Sequence, residues 1–397
     1  MVDITKYLAS RTARMSQNSI REILKVTSRP EIISLAGGLP APNSFPIDEI
    51  NILHNHIMNK YGPAIFQYGL TEGFIPFREA ICTYLGKKGI QTAVANIVIT
   101  SGSQGALDAV GKLLLDKGDI LAVESPTYLG AMTAFNPYEP TYVQIETDSE
   151  GIIPESLEAI LKNQKVKLIY LNPTFQNPTG RTLSESRREM IANIIVKYNA
   201  IAIEDDPYGD IRYRGLALQS LKARIPDNII YLGTFSKIFA PGFRLGFAVA
   251  PSNICDWMTM AKQGVDLHSN SYGQALAAEY ITEGYYDKHL PKIINIYKPK
   301  QEAMLRALET YFPNDFTWTK PDGGMFIWVQ GPNQLDTFKA YPEAIKRNVA
   351  YVPGQCFYAK QGDGQATMRL NFTNASIENI TEAIRRLADM FKQILTN

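Results

Sequence analysis

The alternation of short apolar runs with helical patterns, between about residues 70 and 250, constrains the fold most. The helical patterns between the runs include Gln104–Asp116, Pro154–Leu161 and Glu185–Tyr198. The apolar runs, each predicted to be a strand, are Ile97–Thr100, Ile120–Val123, Thr141–Ile145, Val166–Tyr170, Ile201–Glu204, Ile229–Leu232 and Leu245–Val249. Because alternating strands and helices form βαβ units, we predict an α/β fold, with a three-layer α/β/α large domain around a mainly parallel seven-stranded sheet.

The remaining segments predict a second, smaller α+β domain. Two further strands, Met325–Val329 and Met368–Phe372, precede a C-terminal helix. The apolar residues on one face of that helix are Ile377, Ile380, Ile384, Leu387, Phe391 and Ile394. We therefore predict that residues 46–285 form the large domain. Residues 1–45 and 286–397 then form the small domain, with a mobile N-terminal segment.

A long helical pattern from Asp287 to Tyr311 carries two prolines, Pro291 and Pro299. Proline lacks the backbone N–H that an interior helical position donates, and its ring clashes with the preceding turn. We therefore expect either proline to kink or break this helix.

The composition is that of an ordinary globular protein. Of the 397 residues, 45% are hydrophobic and 20% are charged, and the formal net charge of +1 creates no field that attracts nucleic acid or an anionic membrane. No run approaches the ~20 apolar residues that span a bilayer, and the N-terminus does not have the pattern of a signal peptide. The widely spaced Cys82, Cys255 and Cys356 indicate a reducing compartment. We therefore expect a cytoplasmic protein whose partners include neither nucleic acid nor a membrane.

The loop from Gly233 to Gly246 carries the first candidate site. It places Lys237 between two apolar strands, where burial and the nearby Arg244 would favour the neutral, nucleophilic amine. The hydroxyls of Thr234 and Ser236 lie close in sequence, and hydroxyls with a guanidinium suit a phosphate monoester. The alternative is that Lys237 is a solvated surface charge.

Two further candidates follow the ends of predicted strands. The loop with Ser103 opens into a helix, whose N-terminus can bind an anion, although Ser103 could equally be an ordinary N-cap. Tyr128 begins the next helix, where its ring could stack on a planar heterocycle or lie as a partly buried surface residue.

Amide and carboxyl groups follow the next strands. Asn177 precedes Pro178 and is either a donor in the crevice or part of a simple turn. Asp205 and Asp206 end a buried strand, which is costly unless a cation pairs with one of them. A pyridinium nitrogen would be such a cation, and a structural salt bridge or a metal is the competing account.

Arg369 lies within an apolar strand near the C-terminus. Its planar fork suits bidentate binding of a substrate carboxylate. The alternative is a buried ion pair with a carboxylate of the protein itself.

The order of these signals resembles that of the fold type I pyridoxal 5′-phosphate (PLP) aminotransferases of classes I and II, and most of all the 2-aminoadipate/kynurenine aminotransferase group. The motifs that carry the resemblance are Ile20-Arg-Glu-Ile-Leu, Ala36-Gly-Gly-Leu-Pro, Gln67-Tyr-Gly-Leu-Thr-Glu-Gly, Phe175-Gln-Asn-Pro-Thr-Gly, Gly233-Thr-Phe-Ser-Lys and Met368-Arg-Leu-Asn-Phe. They extend over nearly the whole chain.

The resemblance implies three catalytic residues. Lys237 would form the Schiff base with PLP and shuttle a proton. Asp205 would keep the pyridine nitrogen protonated, so that the ring acts as an electron sink. Tyr208, with Asn177, would bind the ring 3′ oxygen, and Tyr128 would stack on the ring.

The resemblance also implies the remaining contacts. The residues expected to bind the phosphate are Ser103, Gln104, Thr234, Ser236 and Arg244. Tyr68 would bind the cofactor by reaching the phosphate of the neighbouring subunit, which implies a homodimer with shared sites. The substrate-binding residues would be Arg369 on the α-carboxylate, with Asn177, Gly38 and Tyr68 nearby, and Arg21 on a side-chain carboxylate. For Arg21, a local ion pair with Glu22 or Glu31 is the alternative.

The expected activity is transamination between an L-amino acid and a 2-oxo acid through PLP and pyridoxamine phosphate, by a ping-pong mechanism. Glutamate with 2-oxoglutarate is the expected pair on one side, and an aminoadipate-like, aromatic or other broad-range substrate is expected on the other. A PLP-dependent lyase or decarboxylase is one alternative. A PLP-sensing regulator is another, but such regulators carry an N-terminal DNA-binding domain and only about twenty residues precede Arg21.

Overall fold

The computed structural model describes residues 2–15 and 29–396. Within them, seven strands form the large sheet, in the order β2-β10-β9-β8-β7-β3-β4. These strands are β2 (Ile97–Ser101), β3 (Ile120–Glu124), β4 (Thr141–Ile145), β7 (Val166–Leu171), β8 (Ala202–Asp206), β9 (Ile229–Thr234) and β10 (Leu245–Val249). The predicted strands are thus confirmed, with ends that differ by at most two residues.

The sheet is mainly parallel, as predicted. Strands β4, β3, β7, β8 and β9 pair in parallel, whereas β10 runs antiparallel to both of its neighbours, β9 and β2. Strands β2 and β9 therefore point in the same direction as the rest. Their carboxyl ends all lie at one edge of the sheet, which is where a fold of this kind binds its ligands.

Helices cover both faces of this sheet. The α-helices of the described residues are α1 (Ile47–Tyr61), α2 (Ile75–Lys87), α3 (Gly102–Leu114), α4 (Leu129–Phe135), α5 (Pro154–Asn163), α6 (Glu185–Lys197), α7 (Leu221–Arg224), α8 (Ser252–Gln263), α9 (Ser271–Thr282), α10 (Tyr285–Tyr311), α11 (Thr337–Lys346) and α12 (Ile377–Thr396). Among these described helices, none combines the length and the apolar character that a bilayer span requires.

Strand alternation creates the two cores. Successive side chains point to opposite faces, and burying each large aliphatic one contributes roughly 1.5–3 kcal/mol. On one face, Leu168 and Ile203 pack in a cluster with residues of α3, α4 and α8. On the other face, Ile169 and Ala202 pack with residues of α2, α6 and α9. The predicted three-layer α/β/α arrangement is therefore confirmed.

A second sheet lies in the C-terminal part of the chain, with the strand order β11-β12-β15-β14. The remaining strands of the chain are β1 (Ile33–Ser34), β5 (Thr147–Asp148), β6 (Gly151–Ile152), β11 (Thr317–Trp318), β12 (Phe326–Gln330), β13 (Val349–Ala350), β14 (Val352–Pro353) and β15 (Thr367–Asn371). Strand β1 pairs in parallel with β13, which ties the N-terminal segment to this region. The division of the chain at residues 46 and 286 stays a prediction.

The C-terminal helix α12 packs against α10. Ile380, Ile384 and Phe391 are fully buried, as the periodicity indicates, whereas Ile377 and Ile394 at the two ends are 39% and 37% exposed. The predicted apolar face is therefore shorter than the pattern suggested.

Helix α10 corrects one prediction. It continues from Tyr285 to Tyr311 through both Pro291 and Pro299, so the expectation of a break is wrong. An interior proline costs ~3 kcal/mol, but this helix buries Ile293, Tyr297 and further residues along its length. Burial of that face offsets the local loss.

Candidate active site

The predicted site residues meet at the carboxyl edge of the large sheet, around a cavity of about 230 Å³. Its lining residues are Ser103, Gln104, Tyr128, Tyr170, Asn172, Asn177, Asp205, Pro207, Tyr208, Thr234, Ser236, Lys237, Pro241 and Arg244. They come from loops after five different strands, so the fold rather than any local motif brings them together.

Lys237 lies three residues beyond the end of β9 and donates a hydrogen bond from Nζ to the carbonyl oxygen of Gly38, at 2.8 Å. Within the described residues, no carboxylate forms an ion pair with this amine. Burial, and then the positive charges of Arg369 and Arg244, lower the pKa of Lys237 to about 8. The alternative of a solvated surface lysine is therefore wrong, and the amine is poised to act as a nucleophile or a base.

Asp205 is the buried carboxyl at the opposite side of the cavity. Its Oδ2 accepts a hydrogen bond from the Tyr170 hydroxyl at 2.8 Å, and its backbone oxygen accepts one from Asn172 Nδ2 at 2.5 Å. Its Oδ1 is buried and has no partner among the described residues. Burial, together with the charge of Asp206, raises the pKa of Asp205 to about 7. An unsatisfied carboxyl oxygen aimed into a cavity is a site for a cationic N–H donor.

Three polar side chains form a connected row beside Asp205. Arg369 Nη1 donates to Asn177 Oδ1 at 2.8 Å, and Asn177 Nδ2 donates to the Tyr208 hydroxyl oxygen at 3.2 Å. Each side chain of the row fixes the orientation of the next. These two hydrogen bonds fix the orientation of the Asn177 amide. The interpretation of Asn177 as part of a simple turn does not account for them.

Arg369 is buried without a counter-ion in the described part of the chain. Nη2 donates to the Ala36 carbonyl oxygen at 2.7 Å, and Nε has no partner among the described residues. The guanidinium lies over the rings of Phe326 and Phe357, at 4.2 and 4.9 Å from their centroids. Burial lowers the pKa of Arg369 to about 10. Within residues 2–15 and 29–396, no carboxylate of the protein forms the ion pair that was the alternative account of Arg369.

The phosphate-binding candidates surround the N-terminus of α3. A Cβ on Gly246 would lie 2.5 Å from the backbone nitrogen of Ser103, so only glycine lets strand β10 approach the helix so closely. Among the residues that the structure describes, the hydrogen bonds of the Arg244 guanidinium are long, at 3.5 Å to the Ser101 carbonyl and 3.4 Å to that of Pro241. The guanidinium is therefore free to bind an anion at the helix N-terminus.

The hydroxyls of Thr234 and Ser236 are 2.9 Å apart and face the same cavity. Helix α3 begins at Gly102, so Ser103 lies inside the helix and is not its N-cap. The interpretation of Ser103 as an ordinary N-cap is therefore wrong. Its position in the first helical turn keeps it beside the unpaired N–H groups. Gln104 also lines the cavity, and its Nε2 donates to the Gly130 carbonyl at 2.8 Å.

Tyr128 lies immediately before α4 and lines the cavity, as its predicted stacking role requires. A Cβ on Gly130 would lie 2.3 Å from Cζ of the Tyr128 ring. Glycine at position 130 therefore allows the ring to lie flat across the start of the helix. Gly38 is near as well, since its carbonyl accepts from Lys237.

Tyr68 is a predicted site residue that does not line this cavity. Tyr68 is 78% exposed and contacts the edge of the His268 ring, with 5.7 Å between centroids. It does not reach the active site of its own chain, which is compatible with the predicted contact across a dimer. Arg21 lies outside the described residues.

Sequence reasoning missed Tyr170 and Asn172. Tyr170 holds Oδ2 of Asp205, while Asn172 holds the Asp205 backbone and accepts from the Asn177 backbone N–H at 2.6 Å. The available signal was their position at the end of β7, next to β8 in the sheet. The carbonyl contacts of Ala36 and Gly38 left no such signal, because any residue type can supply a carbonyl.

These groups fit PLP. The unpaired Oδ1 of Asp205 suits the protonated ring nitrogen, and the glycine-lined helix N-terminus with Arg244 suits the phosphate. Lys237 supplies an amine between them. A fold of this type with such a site defines a PLP-dependent enzyme of fold type I.

Comparison with known proteins identifies the class. Residues 47–387 match the family "Aminotransferase class I and II". The chain is 44% identical to aromatic-amino-acid aminotransferase 1 of Thermococcus litoralis, over 99% of this chain and 95% of that protein.

Two solved structures are similar throughout. The kynurenine aminotransferase of Pyrococcus horikoshii, in complex with PMP, has a TM-score of 0.95 and 47% identity, over 99% of this chain and 98% of that one. LysN, an α-aminoadipate aminotransferase of Thermus thermophilus complexed with N-(5′-phosphopyridoxyl)-L-leucine, has a TM-score of 0.93 and 34% identity over the full length of both chains. The chain belongs to the class I and II aminotransferases, and its cofactor is PLP.

Proposed function

We propose that this aminotransferase works by a ping-pong mechanism in which Lys237, Asp205 and Arg369 have distinct tasks around one cofactor. The observation that carries this proposal is that Asp205 and Arg369 are buried, Lys237 is half-buried, and none of the three has a counter-ion within the described residues. Leaving such groups unpaired is costly, and bound cofactor and substrate complete each of them.

When bound, PLP supplies the electron sink that lets an amino group move from an amino acid to the cofactor and then to a 2-oxo acid. Asp205 Oδ1 would accept a hydrogen bond from the protonated ring nitrogen and so stabilise its proton. The Tyr208 hydroxyl and Asn177 Nδ2 would hold the ring oxygen, and Tyr128 would pack against the ring. Lys237 Nζ would hold the cofactor and move the proton at the substrate α-carbon.

The other residues position the reactants. The Arg369 fork binds the substrate α-carboxylate, with Gly38 close by. The phosphate is bound by Ser103, Gln104, Thr234, Ser236 and Arg244.

We propose glutamate and 2-oxoglutarate as one substrate pair, with an aromatic, kynurenine-like or aminoadipate-like compound as the other substrate. The support is that the similar proteins act on aromatic amino acids, kynurenine and α-aminoadipate, according to their names. The role of Arg21 on a side-chain carboxylate stays a prediction.

We further propose a cytoplasmic homodimer in which Tyr68 completes the partner's site. The support is an apolar surface groove of about 300 Å³ beside Tyr68, next to the exposed Leu70 and Ile75. The free cysteines suit a reducing compartment. Mixing Lys237→Ala with Tyr68→Ala protomers tests the shared site, since a hybrid dimer would regain one native site. Activity no greater than the sum of the two parents would rule out sharing.

The activity test is a panel of amino donors with 2-oxoglutarate. Parallel double-reciprocal lines and equal amounts of glutamate and new 2-oxo acid are the expected result. Release of ammonia or carbon dioxide in place of that exchange would instead indicate a lyase or a decarboxylase. Repeating the panel with Arg21→Ala tests whether Arg21 binds a side-chain carboxylate. Equal losses of activity with acidic and neutral donors would contradict that role.

A further inference from the structure

Lys88, the residue after helix α2, contacts two carboxylates that flank Tyr208 in sequence. Its Nζ lies 3.2 Å from Asp206 Oδ2 and 3.2 Å from Asp210 Oδ1. The Lys88 side chain is 23% exposed, and the two carboxylates are 9% and 14% exposed. None of the three lines the cofactor cavity.

Neighbouring hydroxyls complete this cluster. The Tyr231 hydroxyl donates to Asp206 Oδ2 at 2.9 Å, and the Tyr84 hydroxyl donates to Asp210 Oδ2 at 2.5 Å. Burial alone would lower the pKa of Lys88, but Asp206 and Asp210 raise it well above its ordinary value. Burial alone would raise the pKa of Asp206, but Lys88 and the Tyr231 hydroxyl lower it. Lys88 and Asp206 therefore stay ionised and paired at neutral pH.

Strand alternation connects this cluster to the active site. Successive side chains of β8 point to opposite faces, so Asp205 faces the cavity while Asp206 faces α2. Asp206 Oδ1 also accepts the Gly209 backbone N–H at 2.9 Å, and a Cβ on Gly209 would lie 2.5 Å from that same oxygen. The turn from Asp205 to Asp210 is thus wrapped tightly on Asp206.

One ammonium group therefore holds both ends of the turn that carries Tyr208. We propose that Lys88 is a positioning residue for the aminotransferase reaction: by clamping Asp206 and Asp210, it sets where Asp205 Oδ1 and the Tyr208 hydroxyl meet the cofactor ring. This inference rests on the roles proposed above for Asp205 and Tyr208. Lys88 itself touches neither cofactor nor substrate.

Removing the ammonium changes charge as well as position. It leaves Asp206 and Asp210 close together without a cation, and the charge of Asp206 increases the proton affinity of Asp205. The other titratable and charged groups that face the cluster are Tyr84 from α2, Glu204 from β8, Tyr231 from β9, Arg188 from α6, Tyr286 from α10 and Arg212 from the segment after Asp210. Lys88 is their central cation, since it alone contacts both carboxylates among the described residues.

The test compares Lys88→Met with Lys88→Arg in the PLP-loaded enzyme. Lys87→Met is the matched control. Lys87 directly precedes Lys88 in the chain, and its ion pair with Asp287 is exposed. For Lys88→Met we expect kcat to fall about tenfold or more and the PLP dissociation constant to rise about tenfold, since small misplacements of catalytic groups have effects of this size. The KM of the amino donor should stay within about twofold, because Arg369 is not part of the cluster.

A spectroscopic measurement separates this role from loss of stability alone. The pH at which the visible cofactor band changes should shift in Lys88→Met, whereas Lys88→Arg and Lys87→Met should keep the wild-type profile. Wild-type kcat, PLP affinity and band profile in Lys88→Met would overturn the proposal. Equal defects in Lys88→Arg and Lys88→Met would also overturn it, because charge would then not be the cause.

Two further variants cover the remaining outcomes. If Lys88→Met does not fold, Asp210→Asn removes half of the clamp while keeping the shape of the side chain. A reduced kcat with unchanged KM then supports the proposal, and wild-type kcat overturns it. Asp205→Ala in the same assays separates the proposed role of Asp205 from that of Lys88. If Asp205→Ala keeps the wild-type cofactor band, the proposed role of Asp205 is contradicted. If Asp205→Ala is defective and Lys88→Met is not, only the proposed role of Lys88 is contradicted.

Discussion

Lys237 and Lys88 are both largely enclosed by protein, and they differ in what surrounds them. Lys88 lies between two carboxylates, which raise its pKa well above the ordinary value. In residues 2–15 and 29–396, the hydrogen-bond partner of Lys237 Nζ is a carbonyl oxygen, and burial with two arginines lowers the pKa of Lys237 to about 8. The paired lysine holds a turn in place, and the unpaired one is available for chemistry.

The same contrast occurs between neighbouring residues of β8. Asp206 has Lys88, a tyrosine hydroxyl and a backbone N–H, whereas Asp205 keeps one buried oxygen that has no partner in the described part of the chain. The sequence left three accounts open for this pair: a pyridinium partner, a structural salt bridge or a metal. Asp206 forms a salt bridge with Lys88, and the unpaired oxygen of Asp205 is the one that we propose binds the cofactor.

The largest expected effect comes from removing the unpaired lysine. Lys237→Ala should lower kcat by about 10³-fold or more, since both covalent attachment and proton transfer depend on this amine. Steady-state kinetics with circular dichroism as a folding control measures this. If the variant kept a turnover near that of the wild type, Lys237 would not be the catalytic amine.

The next largest effect concerns stability without cofactor. A carboxyl whose folded pKa is raised destabilises the folded state as pH rises through that value, so the ionised Asp205 costs at most about 4 kcal/mol above pH ~7 and nothing below its ordinary pKa. Asp205→Asn should therefore stabilise the PLP-free protein at pH 8 and have little effect near pH 4. Urea denaturation at the two pH values checks this.

Asp206→Asn is the matched control for that experiment. Its folded pKa is lowered, so its carboxylate stabilises the protein above the ordinary pKa and loses this contribution as pH falls through the folded pKa. The variant should be destabilised at pH 8. Stabilisation by both substitutions, or by neither, would remove the distinction between the two carboxyls.

A smaller effect is expected at the unpaired arginine. Arg369→Met should lower kcat/KM for the amino donor about 10- to 100-fold, mostly through KM, because a charge-assisted hydrogen-bonded pair contributes about 1.5–3 kcal/mol. The PLP dissociation constant should change little, since Arg369 does not line the phosphate end of the cavity. An unchanged KM would show that the α-carboxylate binds elsewhere.

The smallest expected effect is a pH dependence of cofactor capture. With a pKa of about 8, the neutral amine of Lys237 decreases about tenfold for each pH unit below that value. The rate at which the PLP-free protein takes up PLP should follow this slope between pH 6 and 8 and level off above it. A flat profile would show that the amine titrates elsewhere.

Hydrophobic patterning predicted the large sheet well, because every strand except the edge strand β4 is largely buried on both faces and leaves a mostly apolar run. It also placed Lys237, Asp205 and Asn177 after strand ends, which a mainly parallel sheet must bring to one edge. The sequence could not predict that Asp206 is paired and Asp205 is not, because the partner of Asp206 is Lys88, which lies 118 residues away along the chain. The break expected at Pro291 or Pro299 was wrong because the burial of a long helix face is a tertiary effect.

The most direct test of the central claim is to identify the lysine that holds the cofactor. Borohydride reduction of the PLP-loaded enzyme makes the link permanent, and peptide mass spectrometry then locates it. Because burial and two arginines favour the neutral amine of Lys237, we expect modification at Lys237 and at no other lysine. Modification at Lys88 or at any other lysine, with Lys237 unmodified, would contradict the account.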